Sequence, residues 1–194
     1  SKSLQHCISG RLRHAEGTSV LGGLQVQTQK LAQLPHVRLI GCGTALHAAQ
    51  IGQILIEQWA RIPAVSHVAS EFNANDPVIN PKALHLAISQ SGETADTLSA
   101  VKEIQRKGAD VYGIVNVVGS SIARQCGKGV YIHSGPEQSV ASTKAFTNMV
   151  GALALFALQL GRSRHLSKTK GKSIIREMRT LLPEKIRTYL EQPG

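Results

Sequence analysis

Five short apolar runs with β character, separated by longer stretches of helical apolar spacing, predict an α/β fold for this 194-residue chain. Strands joined by helical crossovers pair in parallel, and a parallel sheet needs helices over both faces. The expected architecture is therefore a three-layer αβα sandwich with a five-stranded parallel sheet. A hydrophobic content of 42% at this length suffices for one sizeable core with some flanking helix.

The first strand is Val37-Arg38-Leu39-Ile40, followed by a helical pattern over 44–60 and a second strand over 64–68. Ala83-Leu84-His85-Leu86-Ala87-Ile88 supplies the third strand. The helix after it, 95–107, carries Ala95, Leu98, Val101, Lys102, Ile104 and Gln105 as its stripe. A fourth strand over 110–115, a short helix over 120–125 and a fifth strand over 129–133 complete the sheet. The helix over 142–160 is apolar nearly all round between Gly151 and Leu158, the pattern of a buried core helix rather than a membrane element. Residues 1–35 read as a weakly helical lead-in with one convincing helix, interrupted by Gly10, Gly17, Gly22 and Gly23. Residues 166–194 read as a basic amphipathic connector helix whose apolar face, Ile174, Ile175, Met178, Leu181, Leu182 and Ile186, calls for a partner. Pro193-Gly194 reads as the start of a linker. The expected division is thus a lead-in at 1–35, a ligand-binding domain at 36–165 and a connector at 166–194.

Twenty-two Lys and Arg against twelve Asp and Glu give a net charge of +10, which suits an anionic partner. Aromatics are only 4% and no zinc-finger, RNP-type or helix-turn-helix pattern is present, so nucleic acid is not the expected one. Many of the charges fall between Arg162 and Arg187, where they read as a solvated helical face. No signal-peptide core opens the chain and no run has the length of a membrane span, so a cytoplasmic protein without membrane contact is expected. Cys7, Cys42 and Cys126 lack Cys-x-x-Cys spacing and read as reduced thiols, with Cys42 a small buried residue. The eight histidines show no metal-ligand spacing, so neither a metal nor a cofactor is expected, and His47 and His133 read as packing or surface residues.

In an open parallel sheet, ligands gather beyond the carboxyl ends of the strands. The turn after the third strand, Ser89-Gln90-Ser91-Gly92-Glu93-Thr94, supplies hydroxyls, an amide and a flexible Gly where a buried strand becomes a helix. The N–H groups and dipole at a helix start favour an anion by roughly 0.3–1 kcal/mol, and three hydroxyls beside them fit a phosphate monoester. The plainer alternative is capping, with Ser91 and Thr94 satisfying helix N–H groups and Glu93 sitting in the first turn. After the first strand, Gly41-Cys42-Gly43-Thr44 permits close backbone approach, with Thr44 where a cap hydroxyl belongs. Leu46 stands where a dinucleotide fingerprint needs its third Gly, and no Walker-type Gly-Lys-Ser/Thr is present. The polar loop 135–144 ends in Ser142 as a plausible cap of the apolar helix, its hydroxyls placed to meet sugar hydroxyls.

Five segments in this order, Cys42-Gly43-Thr44, Ala69-Ser70-Glu71-Phe72, 89–97, Asn116-Val117-Val118-Gly119-Ser120-Ser121 and 140–146, resemble one family. The chain looks like the first sugar isomerase (SIS) domain of the glutamine–fructose-6-phosphate aminotransferases, and the resemblance covers nearly its whole length. Ser-Gly-Glu-Thr-x-Asp-Thr together with Val-Ala-Ser-Thr-Lys-Ala-Phe is the specific combination. The resemblance implies a flavodoxin-like SIS fold and a substrate phosphate held by Ser89, Gln90, Ser91 and Thr94. It also implies that Thr44, the Val140 backbone and Ser142 approach the sugar. Ala45 and Gln138-Ser139 depart from the family pattern, Ala45 removing a hydroxyl from the phosphate side.

By the same resemblance the ligands are hexose 6-phosphates, fructose 6-phosphate and glucosamine 6-phosphate, and the whole enzyme makes the second from the first with glutamine. The partners it implies are a glutaminase domain, a second SIS domain and a second copy of the chain in a homodimer. The family's general base, ring-opening His and imine-forming Lys lie beyond the matched region, so no catalytic residue is expected here. The chain then reads as a fragment of a larger enzyme. Lys144 and Glu93 read as helix-start residues rather than as an imine Lys and a base. A non-catalytic sugar-phosphate sensor, or another SIS-type phosphosugar isomerase, is the alternative.

Overall fold

The computed structural model describes residues 2–137 and 141–191. From the amino end come α1 (Lys2–Ile8), the two-residue strands β1 (Leu12–Arg13) and β2 (Thr18–Ser19), a 3-10 turn at Gly22–Leu24 and α2 (Thr28–Ala32). The central unit follows as β3 (Val37–Gly41), α3 (Thr44–Ala60), β4 (Ala64–Val68), α4 (Ala69–Phe72), β5 (Leu84–Ser89), α5 (Ala95–Arg106), β6 (Val111–Val115), α6 (Ser121–Cys126) and β7 (Gly129–Tyr131). The chain continues with α7 (Lys144–Arg162) and α8 (Lys168–Arg176), a π-helical turn at Glu177–Leu181, and α9 (Leu182–Leu190).

β4, β3, β5, β6 and β7 form, in that order, a five-stranded sheet with every neighbouring pair parallel. Alternation along the strands sorts their side chains into two cores. Leu39, Leu84, Leu86, Ile88, Tyr112 and Ile114 face α3 and α7. Ile40, Ala87, Val111 and Val115 face Ala69 and Phe72 of α4, Val101 and Ile104 of α5, and Ile122 of α6. Helices thus cover both faces, and the three-layer α/β architecture matches the sequence expectation. By length and composition α7 is apolar enough to cross a membrane, yet 72% of its most apolar window is buried within the protein, as the core-helix reading requires.

Several local expectations are corrected. The lead-in contains an antiparallel ribbon, Leu12 opposite Ser19 and Arg13 opposite Thr18, as well as two short helices. It is also tied into the body, since Ser19 Oγ donates to Leu155 O at 2.5 Å and Arg11 to Tyr131 O at 2.6 Å. The buried stripe of α5 is Thr97, Ala100, Val101 and Ile104, whereas Ala95 and Lys102 are exposed. Tertiary packing of α5 under β5 and β6 decides that face. The basic terminal helix is broken by the π turn. Ile174, Ile175 and Met178 are buried, Leu181 and Leu182 are 37% and 41% exposed, and Ile186 is half-buried. Met178, Leu182 and Ile186 still line one groove against α1 and α7. Pro193 and Gly194 lie outside the described residues.

Candidate functional site

Numbered within the sheet alone, the strand order is 2-1-3-4-5, so the chain reverses its direction of travel between β3 and β5. At such a switch point the loops leaving two adjacent strands part and open a crevice. The crevice is present, with a volume of about 400 Å³. Cys42, Gly43, Thr44 and Ala45 line it from the end of β3, Ser89, Gln90, Ser91 and Thr94 from the end of β5, and Ala141 and Ser142 from the approach to α7. A depression of about 420 Å³ beside Ser9, Gly10 and Arg179 lies between α1 and the carboxyl-terminal helices, away from those strand ends.

Backbone geometry shapes both loops. Gly43 has φ 55°, where a side chain would strain the turn into α3. Gly92 has φ 69°, and a Cβ on it would collide with Ser120 Oγ, so the turn after β5 is pressed against the start of α6. Ile122 N donates to Gly92 O at 2.9 Å, Ser121 N to Glu93 Oε1 at 2.8 Å and Asn116 N to Gln90 O at 3.3 Å. Glu93 therefore precedes α5 and caps α6, and its hydrogen bonding to Ser121 holds its carboxyl below the usual carboxylate range. A carboxylate engaged in this way is a poor general base.

Hydroxyl placement separates capping from binding. Thr94 occupies the N-cap position of α5 but makes no side-chain cap bond, pairing instead with Ser89 Oγ at 3.1 Å. Ser89 is 2% exposed and accepts from Gly92 N at 3.0 Å, while Ser91 Oγ accepts from Glu93 N at 3.1 Å. An oxygen already accepting from a backbone N–H directs its own proton elsewhere. The Ser89–Thr94 pair has one proton left after their mutual bond, and Ser91 has its own. Among the described residues no side chain is hydrogen-bonded to the first N–H groups of α3 or α5. Two helices of 17 and 12 residues thus begin at the crevice, with hydroxyl donors between their positive ends. Among the described residues no Lys or Arg lines it, and the arrangement has the character of an anion cradle built from neutral donors.

Six sequence-predicted residues, Thr44, Ser89, Gln90, Ser91, Thr94 and Ser142, thus stand around one crevice, whereas Val140 lies outside the described residues. Ser142 does not cap α7. Thr143 is the N-cap, and Glu137 Oε2 accepts from Thr143 N and Ala145 N, both at 3.1 Å. That carboxylate and the Asn116 side chain went unread in the sequence, because each acts on backbone far from the motif that names the site. Cys42 is half-buried and lines the crevice rather than sitting in the core. Burial raises Cys7 to about 11 and Cys126 to about 12, so both are protonated at neutral pH. His47, His133 and Lys144 are exposed. Among the described residues no three His, Cys, Asp or Glu are placed to hold a metal ion.

Residues 30–159 match the SIS domain family. The chain belongs to that family. The SIS domain is 45% identical over 190 residues to an isomerizing glutamine–fructose-6-phosphate aminotransferase of Thermus thermophilus, covering 97% of this chain and 31% of the relative. The Chlorobaculum tepidum enzyme of the same name is 43% identical over 189 residues, with the same coverages of 97% and 31%. Among solved structures, the C-terminal domain of glucosamine-fructose-6-phosphate aminotransferase from Francisella tularensis superposes with a TM-score of 0.85 at 29% identity, across 96% of this chain and 53% of that one. A glucosamine-6-phosphate deaminase from Thermotoga maritima shares the fold, with a TM-score of 0.63 at 16% identity over 99% of this chain and 58% of that one. This SIS domain spans about a third of the length of the curated relatives it matches, 31% of each of the two above.

Proposed function

We propose that this chain binds a hexose 6-phosphate, fructose 6-phosphate or glucosamine 6-phosphate, as the first SIS domain of a glutamine–fructose-6-phosphate aminotransferase. The observation that carries the proposal is the cradle at the ends of β3 and β5, where Ser89, Ser91 and Thr94 present hydroxyls between two uncapped helix starts. Identity of 45% to an enzyme named for fructose 6-phosphate supports the choice of sugar. In this reading the phosphate rests on Ser89, Gln90, Ser91 and Thr94. Thr44 and Ser142 approach the sugar across the crevice, and the sequence resemblance adds the Val140 backbone.

Residues 36–165 then act as the ligand-binding unit, 1–35 as the lead-in from a glutaminase domain and 166–194 as the connector to a second SIS domain. A cytoplasmic homodimer completes the reading. It is supported by a largely apolar groove of about 200 Å³ between α1, α7 and α9, lined by Phe146, Val150, Leu182 and Ile186. The described residues that line the crevice include no carboxylate, imidazole or amine, so proton abstraction and imine formation fall to other parts of the enzyme.

Calorimetry with fructose 6-phosphate and glucosamine 6-phosphate tests the assignment. Hydrogen bonds to a charged group contribute about 1.5–3 kcal/mol each, so two or three, less the cost of association, give a dissociation constant between about micromolar and millimolar. Saturable heat in that range is expected from the chain on its own, without interconversion of fructose and glucose 6-phosphates. Folded protein that gives no heat at millimolar ligand overturns the reading.

A further inference from the structure

We infer that Asn116 and Glu137 are positioning residues that fix Ser142 relative to the phosphate cradle, and so set the length of sugar phosphate the crevice accepts. The inference rests on the sugar-phosphate reading. Its basis is a chain of hydrogen bonds leading from the cradle around the sheet to α7.

The first link is backbone. Asn116 N donates to Gln90 O at 3.3 Å, tying the end of β6 to the turn that carries Ser91 and Thr94. The Asn116 side chain then reaches the segment that leaves β7, its Nδ2 donating to Gly135 O at 2.9 Å and its Oδ1 accepting from Ser134 N at 2.8 Å. Both ends of the amide are used, which fixes the plane of the side chain and the segment it grips. That segment is not in a relaxed conformation. His133 holds φ 50°, in the left-handed region that a non-glycine residue adopts when its surroundings require it, and Gly135 has φ 71°. Two residues on, one Glu137 oxygen receives Thr143 N and Ala145 N, both at 3.1 Å, and a carboxylate there also meets the positive end of a 19-residue helix. Ser142 is the residue next to Thr143 and lines the crevice opposite Ser89 and Ser91.

The Asn116 side chain reaches Ser134 and Gly135, and Asn116 meets the phosphate loop through its main chain. Truncating either side chain therefore leaves the phosphate hydroxyls in place and frees the sugar side. Discrimination between ligands should fall while affinity for bare phosphate stays. A residue that merely supported the fold would lower stability and weaken all anions alike.

The test compares fructose 6-phosphate, ribose 5-phosphate and inorganic phosphate as ligands of the 194-residue chain and of Asn116→Ala, Asn116→Asp, Glu137→Ala and Glu137→Gln. Loss of one or two positioned hydrogen bonds should weaken fructose 6-phosphate by about tenfold in the two alanine variants, with inorganic phosphate changed by no more than about twofold. The preference for the hexose over the pentose phosphate should shrink with it. Glu137→Gln keeps an acceptor oxygen, and Asn116→Asp keeps the acceptor for Ser134 N, so each should recover part of the loss. Glu137 is half-buried, and its variants, expected to fold, decide the matter if Asn116→Ala does not melt cooperatively. Equal weakening of all three ligands, or unchanged discrimination in the Glu137 variants while the wild-type chain binds, overturns the relay alone. Wild-type protein that binds neither phosphate nor sugar phosphate overturns the sugar-phosphate reading and the relay together.

Discussion

Thr94 stands at the start of α5 without capping it, its hydroxyl turned to Ser89. Thr94→Val should therefore weaken hexose 6-phosphates by about one to two orders of magnitude, the loss of one bond to a charged group, while moving the melting temperature by no more than about 2 °C. A large drop in melting temperature with unchanged binding would restore the capping role. Ala45 is 5% exposed and lines the same crevice. Ala45→Ser adds the hydroxyl missing from the phosphate side and should tighten phosphate ligands by about three- to tenfold, read by the same titration. Such residues were legible because the signal is local: strand, hydroxyl-rich turn and helix lie close together in the chain. Glu93 and Glu137 were not, because each carboxylate acts on a helix start that its own position in the sequence does not announce. Ser121 lies 28 residues from Glu93, and the bonds of Glu137 span six and eight residues, where no capping rule applies.

The strands and long helices were legible from apolar runs and helical spacing, α3 and β4 to the residue. The two-residue strands β1 and β2 are too short to show any alternation, and long-range bonds to α7 and β7 hold the lead-in in place. The break between α8 and α9 is invisible because a π turn needs no special residue to form. Its energetic consequence is testable. Ile175 is fully buried, so Ile175→Ala should cost about 2–4 kcal/mol in urea unfolding, whereas Leu190, 72% exposed on α9, should cost under about 0.5 kcal/mol on the same change. Equal effects would mean that α9 carries as much of the core as α8.

At the scale of the whole molecule, His85 ties stability to pH. It is fully buried on β5, and burial, then the charges of Arg38 and His36, push its pKa down to about 4. Between pH 6.5 and about 4 the unfolded chain takes up a proton that the folded chain refuses, so stability is complete above that window and falls as pH drops through it. The full span is worth about 3 kcal/mol. His36 and His67 are lowered in the same direction and add to the slope. Melting curves at about pH 7.5 and about pH 5, either side of the ordinary histidine pKa, should show a drop that His85→Leu reduces, and an equal drop in the variant would assign the acid lability elsewhere.

Amide chemical-shift mapping during a fructose 6-phosphate titration reports directly whether the sugar phosphate sits between the ends of β3 and β5. Saturating shifts are expected at residues 43–45 and 89–95, extending to Ser142, with little change around Ser9, Gly10 and Arg179. Saturating shifts centred on that second depression, or none along 89–95 at millimolar ligand, would contradict that placement.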